Sequence, residues 1–273
     1  MYDDNGHGTH CAGIIGATAN NSIGVAGINW NVKILPVKFM DYAGRGNTYA
    51  MVKAIDYIVK LKKSGVNIVS VNCSFGTYSK DQLMETYLKK LNDLGIIVVT
   101  AAGNESNNTD LTPCYPATLN LQNQINVAAV DSNGNLANFS NYGKNTVDVA
   151  APGVSILSTY PNGYLAYSSG TSMAAPHVAG LVALIKAFNP GLSESSIKGY
   201  IISKSASTQT NSTQNNIKSG GFINCGLVLT LINGGTPIIP TQVPTITPTI
   251  TKVPTVTLTP TVRPTVTKAP TVT

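Results

Sequence analysis

An α/β fold, with a mostly parallel sheet covered by helices on both faces, is predicted for this chain by three observations. Short β-branched apolar runs, Val66–Val71 and Ile96–Thr100 among them, alternate with segments whose apolar residues recur at helical spacing. Strand and helix alternating at that pitch imply right-handed crossovers and therefore parallel pairing. A parallel sheet connected in this way carries helices on both of its faces.

Taken in order, Gly6 to Gly16 begins as a glycine turn and continues as a small-residue helix, with His7 at its start and His10 about one turn further on. Two histidines three apart are a candidate metal pair, but the segment lacks the His-Glu-x-x-His pattern of a helical zinc site. Asn20 to Gly27 is rich in turn formers, and its carbonyls and one amide could surround a hard cation. Val32–Phe39 is predicted as a buried strand, with Pro36 set against its centre. Thr48 is expected to cap a helix bearing Met51, Ile55, Ile58 and Val59. Ser79 is expected to cap another bearing Leu83, Met84, Tyr87, Leu88 and Leu91, with Gly95 as its stop. Further strands are expected at Ile125–Val130 and Val147–Ala150, and a helix from Ser193-Glu194 through Ile202.

After Asn233-Gly234-Gly235 the composition changes to a Pro-Thr-Val/Ile tract without aromatic residues, acids or glycine. Its prolines deny the backbone a regular ladder and favour extended polyproline II segments. Residues 1–235 are thus predicted as the folded domain, and 236–273 as a disordered linker or stalk that would join a downstream module.

The net charge of +6 lies entirely beyond Glu194, in six dispersed Lys and Arg residues, so nucleic-acid binding is not expected. Four cysteines allow three full pairings; Cys11 and Cys73, in apolar segments, are expected as free thiols. No apolar run is expected to be long enough to span a bilayer, and no signal peptide is recognised.

Chemistry concentrates in Gly170-Thr171-Ser172-Met173-Ala174-Ala175-Pro176-His177-Val178-Ala179-Gly180, where a turn feeds an apolar helix with a serine in its first turn. Unpaired N–H groups and the positive end of the helix dipole converge there, so an oxyanion forming beside Ser172 would be stabilised. Working residues of such sheets gather at the carboxyl ends of strands. Asn72 to Gly76 ends one strand, and Ala101-Ala102-Gly103-Asn104-Glu105 ends the next, making the Asn104 amide a candidate second oxyanion donor.

His7 in Gly-His-Gly-Thr-His-Cys-Ala-Gly, Asn104 in Ala-Ala-Gly-Asn and Ser172 in Gly-Thr-Ser-Met-Ala-Ala-Pro-His-Val-Ala-Gly together resemble the subtilisin-like serine proteases, or subtilases, over about residues 3 to 233. The His-Cys pair is similar to the thermitase-like branch. The resemblance implies a secreted, extracellular endopeptidase acting on polypeptides by an acyl-enzyme route. His7 would be the base and then the acid, Ser172 the nucleophile, and Asn104 with the Ser172 N–H the oxyanion hole. It further implies that Ser74, Phe75 and Gly76 bind extended substrate like an added strand. Ala101, Ala102 and Gly103 would wall the first specificity pocket, and Cys114 would fall near its floor. It implies a structural calcium on the Asn20–Val25 loop, held by the Asn21 side chain and the carbonyls of Ala19, Ile23 and Val25, and no organic cofactor. His10, His177 and Asp148 match structural positions.

One departure matters. Subtilases carry a triad aspartate in Asp-x-Gly on a strand several tens of residues before the histidine, and only six residues precede His7 here. Asp3 and Asp4 match acids on the substrate side instead. The sequence is therefore expected to be a fragment of a longer secreted precursor, with the fold incomplete at its N-terminus. The competing expectation is a non-catalytic relative that binds peptide strands; Gly-Thr-Ser-Met-Ala does not fit the Gly-x-Ser-x-Gly of an α/β-hydrolase.

Overall fold

A computed structural model describes residues 2–203 and 207–234; the predicted linker 236–273 lies outside them. The elements run α1 (His7–Gly16), α2 (Thr48–Lys63), β1 (Ser70–Cys73), α3 (Gln82–Asp93), β2 (Ile97–Ala101), β3 (Gln124–Val130), β4 (Val149–Pro152), β5 (Ile156–Tyr160), β6 (Tyr164–Ser168), α4 (Thr171–Phe188), α5 (Glu194–Ile202), β7 (Ser207–Gln209), α6 (Asn211–Gln214), β8 (Gly221–Ile223) and α7 (Cys225–Ile232). Six strands form one sheet in the order β1-β2-β3-β4-β8-β7, parallel except for β7, while β5 and β6 form a separate antiparallel hairpin.

The central strands are covered on both faces, as predicted. Along β2, Ile97, Val99 and Ala101 pack with α4 residues Ala175, Val178, Leu181 and Ile185 on one face. Val98, on the other face, packs with Met51, Ile55 and Ile58 of α2 and Leu88 and Leu91 of α3. Alternation of side chains along a strand thus feeds two cores from one run.

Several expectations are corrected. Asn47 caps α2, its side chain accepting from the Ala50 N–H at 2.8 Å, and Thr48 is the first helical residue. Asp81, not Ser79, caps α3; its Oδ1 accepts from the N–H groups of Leu83 and Met84, and its Oδ2 from the Thr48 hydroxyl. A carboxylate at a helix N-terminus is a stronger acceptor than a hydroxyl and also meets the dipole. Leu83 then lies on the exposed side of α3. The apolar run of α4 does reach membrane-spanning length, at 18 residues and mean hydropathy 1.3, but two-thirds of it is buried as the core helix of the fold.

The fourth correction concerns Val32–Phe39, which is extended but joins no ladder among the described residues. Pro36 brings no N–H, and the segment is held by Val37 and Phe39 packing beside the α2–α3 core. Opposite it, β1 is the edge of the sheet, paired among the described residues with β2 alone. The two line a cleft of about 1500 Å³ that runs on to His7, Ser74 and Gly76. β1 itself begins at Ser70, four residues later than predicted, because pairing with β2 starts only at Ser70 opposite Ile97.

Helix α1 meets α4 and β5 through missing side chains. A Cβ on Gly180 would lie 2.8 Å from Ile28 Cβ and 3.1 Å from the Ile15 carbonyl; one on Gly13 would lie 2.2 Å from Thr159 Oγ1. Gly180→Ala is therefore expected to destabilise the chain by about 1–2 kcal/mol in urea melts, overpacking outweighing the better helix propensity of alanine. An unchanged or raised midpoint would show that the contact relaxes.

Candidate active site

The site is built where α4 begins. Ser172 stands in the first turn of α4, where backbone N–H groups have no intrahelical acceptor. Its hydroxyl lies 3.3 Å from the Ser74 carbonyl, a weak contact, while Ser74 Oγ donates to the Ser172 carbonyl at 2.8 Å. The end of β1 is thus tied directly to the start of α4.

Asn104, just past β2, is fixed from the same helix. Its Oδ1 accepts from the Thr171 N–H at 2.8 Å and the Thr171 hydroxyl at 2.9 Å, and Thr171 Oγ1 accepts from the Gly103 N–H at 3.1 Å. With the oxygen committed, the Nδ2 donors point away from Thr171. A methyl group built on Gly170 would lie 3.6 Å from both Asn104 Nδ2 and the Ser172 nitrogen. Two donors therefore border one small space beside Gly170.

His7 opens α1 as a residue with access to solvent, although its imidazole is partly desolvated by its neighbours. Its Nδ1 is 4.0 Å from Cys11 Sγ, and that sulfur donates to the Ser172 carbonyl at 3.3 Å, so one thiol touches both the imidazole and the serine backbone. Desolvation, and then the neighbouring His10 charge, lower the pKa of His7 from its ordinary value, against the opposing pull of Asp3. A lowered pKa favours the neutral ring, the form able to take a proton. Cys11 is no rival nucleophile: burial pushes its thiol up to about 12, despite a lowering hydrogen bond from Ser74. Among the described residues no carboxylate hydrogen-bonds the His7 ring.

The other predicted residues divide. Ser74, Phe75 and Gly76 leave β1 along the cleft, with the Phe75 ring edge-on to Phe39 at 4.9 Å and Gly76 packed against Cys114 Sγ. Gly103 is half-buried beside Asn104. Ala102 is fully buried and its N–H and carbonyl are both bonded within the protein, so it backs the pocket wall and does not face a ligand. His10 points away from His7; its Nε2 meets the carbonyls of Ile156 and Ala166 at 3.1 and 3.0 Å and pins α1 to the β5–β6 hairpin. Among the described residues no three His, Cys, Asp or Glu side chains gather as a metal cluster. All four cysteines are free, and buried Asp148 accepts from the Asn126 N–H at 2.9 Å.

The Ala19–Val25 loop supplies part of a cation site only. Asn21 Oδ1 already accepts from the Ile23 N–H at 3.1 Å. Three further carbonyls from one exposed loop, without a carboxylate, fall short of the six to eight oxygens a calcium takes.

Three residues of the cluster carried no signal of their own in the sequence. Thr171 was hidden beside the serine, Cys11 read as core, and Asp3 read as a substrate-side acid. Asp3 in fact anchors the start of α1: its Oδ1 accepts from the Gly6 and Asn5 N–H groups, and its Oδ2 from the Thr9 N–H and hydroxyl. Burial alone would raise its pKa; the hydrogen bonds from Thr9, Gly6 and Asn5 outweigh that and hold it at about 2.

Comparison with known proteins bears on this geometry. The model of the subtilase family, Peptidase S8, matches residues 1–220. The chain is 35% identical over 240 residues to subtilisin-like protease 2 of Plasmodium falciparum, covering 85% of the chain but only 17% of that protein. It is 43% identical over 197 residues to thermitase of Thermoactinomyces vulgaris, covering 72% of the chain and 66% of thermitase. The fold superposes on the crystal structure of a cold-adapted subtilisin-like serine proteinase with a TM-score of 0.68 at 29% identity, over 80% of this chain and 76% of that one.

Asp3→Ala is expected to lower stability at pH 7 by about 1 kcal/mol, the size of a lost helix cap. A carboxyl depressed to about 2 contributes stability that is complete above its unfolded pKa and lost as pH falls toward 2. The gap between wild type and variant in urea melts should therefore narrow from pH 4 downward; a constant gap would rule out the carboxylate as its source.

Proposed function

The chain belongs to the subtilase family, and from that premise we propose that it is a serine endopeptidase that cleaves polypeptides through an acyl-enzyme. The observation that carries this is the pair of nitrogens, Asn104 Nδ2 and the Ser172 backbone N, each 3.6 Å from one point beside Gly170 at the start of the helix that bears the serine.

In the proposed mechanism, Ser172 Oγ gives up its weak contact with Ser74 and attacks the peptide carbonyl carbon while His7 takes the hydroxyl proton. Asn104 and the Ser172 N–H stabilise the oxyanion of the tetrahedral intermediate. His7 returns the proton to the leaving amine as the C–N bond breaks, and water enters by the same steps in reverse to release the acid and restore Ser172. Ser74, Phe75 and Gly76 align the substrate as an added strand, and Gly103 and Cys114 border the pocket for the side chain preceding the cut.

The acid that orients the imidazole is proposed to come from a strand outside these 273 residues, seated in the cleft between β1 and Val32–Phe39. The support is the unpaired edge of β1 and a cleft that opens beside His7. Without that acid the site is expected to turn over slowly; in subtilisin, where the comparison has been made, loss of the aspartate alone costs about 3 × 10⁴-fold in turnover. We further propose that residues 1–235 are the catalytic domain, that the Pro-Thr tract is an exposed extracellular linker to a further module, and that calcium serves structure only.

The test is covalent labelling. A fluorophosphonate should modify Ser172, fail on Ser172→Ala, and react roughly 10²- to 10³-fold more slowly with Asn104→Ala, the range found for this donor in subtilisin itself. The labelling rate should rise with pH to a plateau, with a midpoint below 6.5, because the neutral imidazole is the active form and its pKa is lowered. No label, or label elsewhere, would leave a peptide-binding module as the better reading. Calcium at about 10 mM should raise the melting temperature by roughly 1–3 °C, as for a weak site, and chelator should reverse it; no shift would remove calcium from the account.

A further inference from the structure

The oxyanion donor Asn104 sits on a loop that has no regular structure of its own, from Gly103 to Asn107. What fixes that loop is a second asparagine. Asn141 is fully buried, on a segment that reached this neighbourhood from 37 positions further along the chain. Its Oδ1 accepts from the N–H groups of Glu105 at 3.0 Å and Asn107 at 2.9 Å, so it caps both residues just beyond Asn104. Its Nδ2 lies 3.0 Å from each of three acceptors, the Ala102 carbonyl, Glu105 Oε2 and the Tyr78 hydroxyl, which share its two N–H hydrogens. Its own N–H donates to the Gly103 carbonyl at 2.9 Å. One side chain and its amide thus bind residues 102, 103, 105 and 107 and hold the chain on either side of Asn104.

The carboxyl of Glu105 completes the clasp. Its Oε2 accepts from the Asn104 N–H at 2.8 Å and from the Tyr78 hydroxyl at 2.6 Å, and Tyr78 in turn accepts from Asn107 Nδ2 at 3.0 Å. Asn141 is itself tied to the sheet: the neighbouring Ser140 hydroxyl donates to the Asn141 carbonyl and accepts from the Ala129 N–H of β3, both at 2.9 Å. The loop packs so closely on this group that Gly103, at φ +108°, could carry no side chain, since a Cβ would stand 2.2 Å from Asn141 Nδ2.

We infer that Asn141, with Glu105 and Tyr78, is the positioning residue for Asn104: it transmits the rigidity of β3 to the loop and so sets where the oxyanion donor stands. This rests on the proposed role of Asn104. The physical reason is that a donor helps only when already aimed at the place where charge develops, and a displacement of about 1 Å can cost 10²-fold in rate. Only an amide side chain supplies both kinds of contact here. An aspartate would lose the donors and set a second carboxylate against Glu105, and alanine would leave buried N–H and carbonyl groups unpaired.

The experiment compares fluorophosphonate labelling of Ser172 in the 273-residue chain for wild type, Asn141→Ala, Asn104→Ala and the double variant, resolving the maximal rate from the half-saturating concentration. Asn141→Ala should lower the maximal rate by about 10- to 100-fold with the half-saturating concentration unchanged. The double variant should label no more slowly than Asn104→Ala alone, because Asn141 acts through a group already removed. Tyr78→Phe, at a half-exposed position, deletes only the hydroxyl and serves if Asn141→Ala does not fold; it should lower the maximal rate by about 3-fold, again with no added effect on Asn104→Ala. Effects that multiply in the double variants, or variants that label at the wild-type rate, would overturn the inference alone. A wild-type chain that does not label would overturn the nucleophile assignment and the inference with it.

Discussion

Everything in the site depends on two helices being allowed to touch. Helix α1 carries His7 and α4 carries Ser172, and the two approach closely because Gly180 places no side chain against the Ile15 carbonyl of α1, while Gly13 lets α1 sit equally close to Ser158 and Thr159 of β5. Dispersion between closely packed atoms falls away within an ångström, so such a contact either forms fully or is largely lost. Cys11 fills the remaining gap, touching both the imidazole and the serine backbone. The burial that supports this packing also holds its thiol protonated, which leaves the hydroxyl as the group able to react.

The strands and the core were legible because their signal is periodic and redundant. Apolar runs without alternation could only be a sheet covered on both sides, and β2 and β3 are buried at every position. Helix boundaries were less legible: Asn47 and Asp81 displaced Thr48 and Ser79 as caps, since near a helix start several polar residues compete and the sequence does not say which oxygen will reach the free N–H groups. Val32–Phe39 shows the deeper limit. Its composition is that of a strand, yet strand formation needs a partner, and among the described residues none stands beside it.

Much of the site was legible too, because His7, Asn104 and Ser172 each sit in a run of small residues and turn formers that only close backbone approach explains. What stayed invisible was the support around them. Asp3, Thr171 and Asn141 act through hydrogen bonds to backbone groups, and a backbone partner leaves no mark on the sequence. Asn141 is the clearest instance: Phe139-Ser140-Asn141-Tyr142 looks like any turn until the fold brings it against residues 102 to 107.

Because α4 is both the most buried helix and, on the proposed reading, the bearer of the nucleophile, robustness and chemistry cannot be tuned separately in this molecule. A change that loosens Val178, Leu181 or Ile185 against the sheet also shifts the turn that presents Ser172. Directed evolution of such a scaffold would find its tolerant positions on α2, α3 and the loops, while α4 would accept few substitutions. Loss of function on heating would then coincide with loss of the core, with no temperature range in which a sound body carries a disabled site.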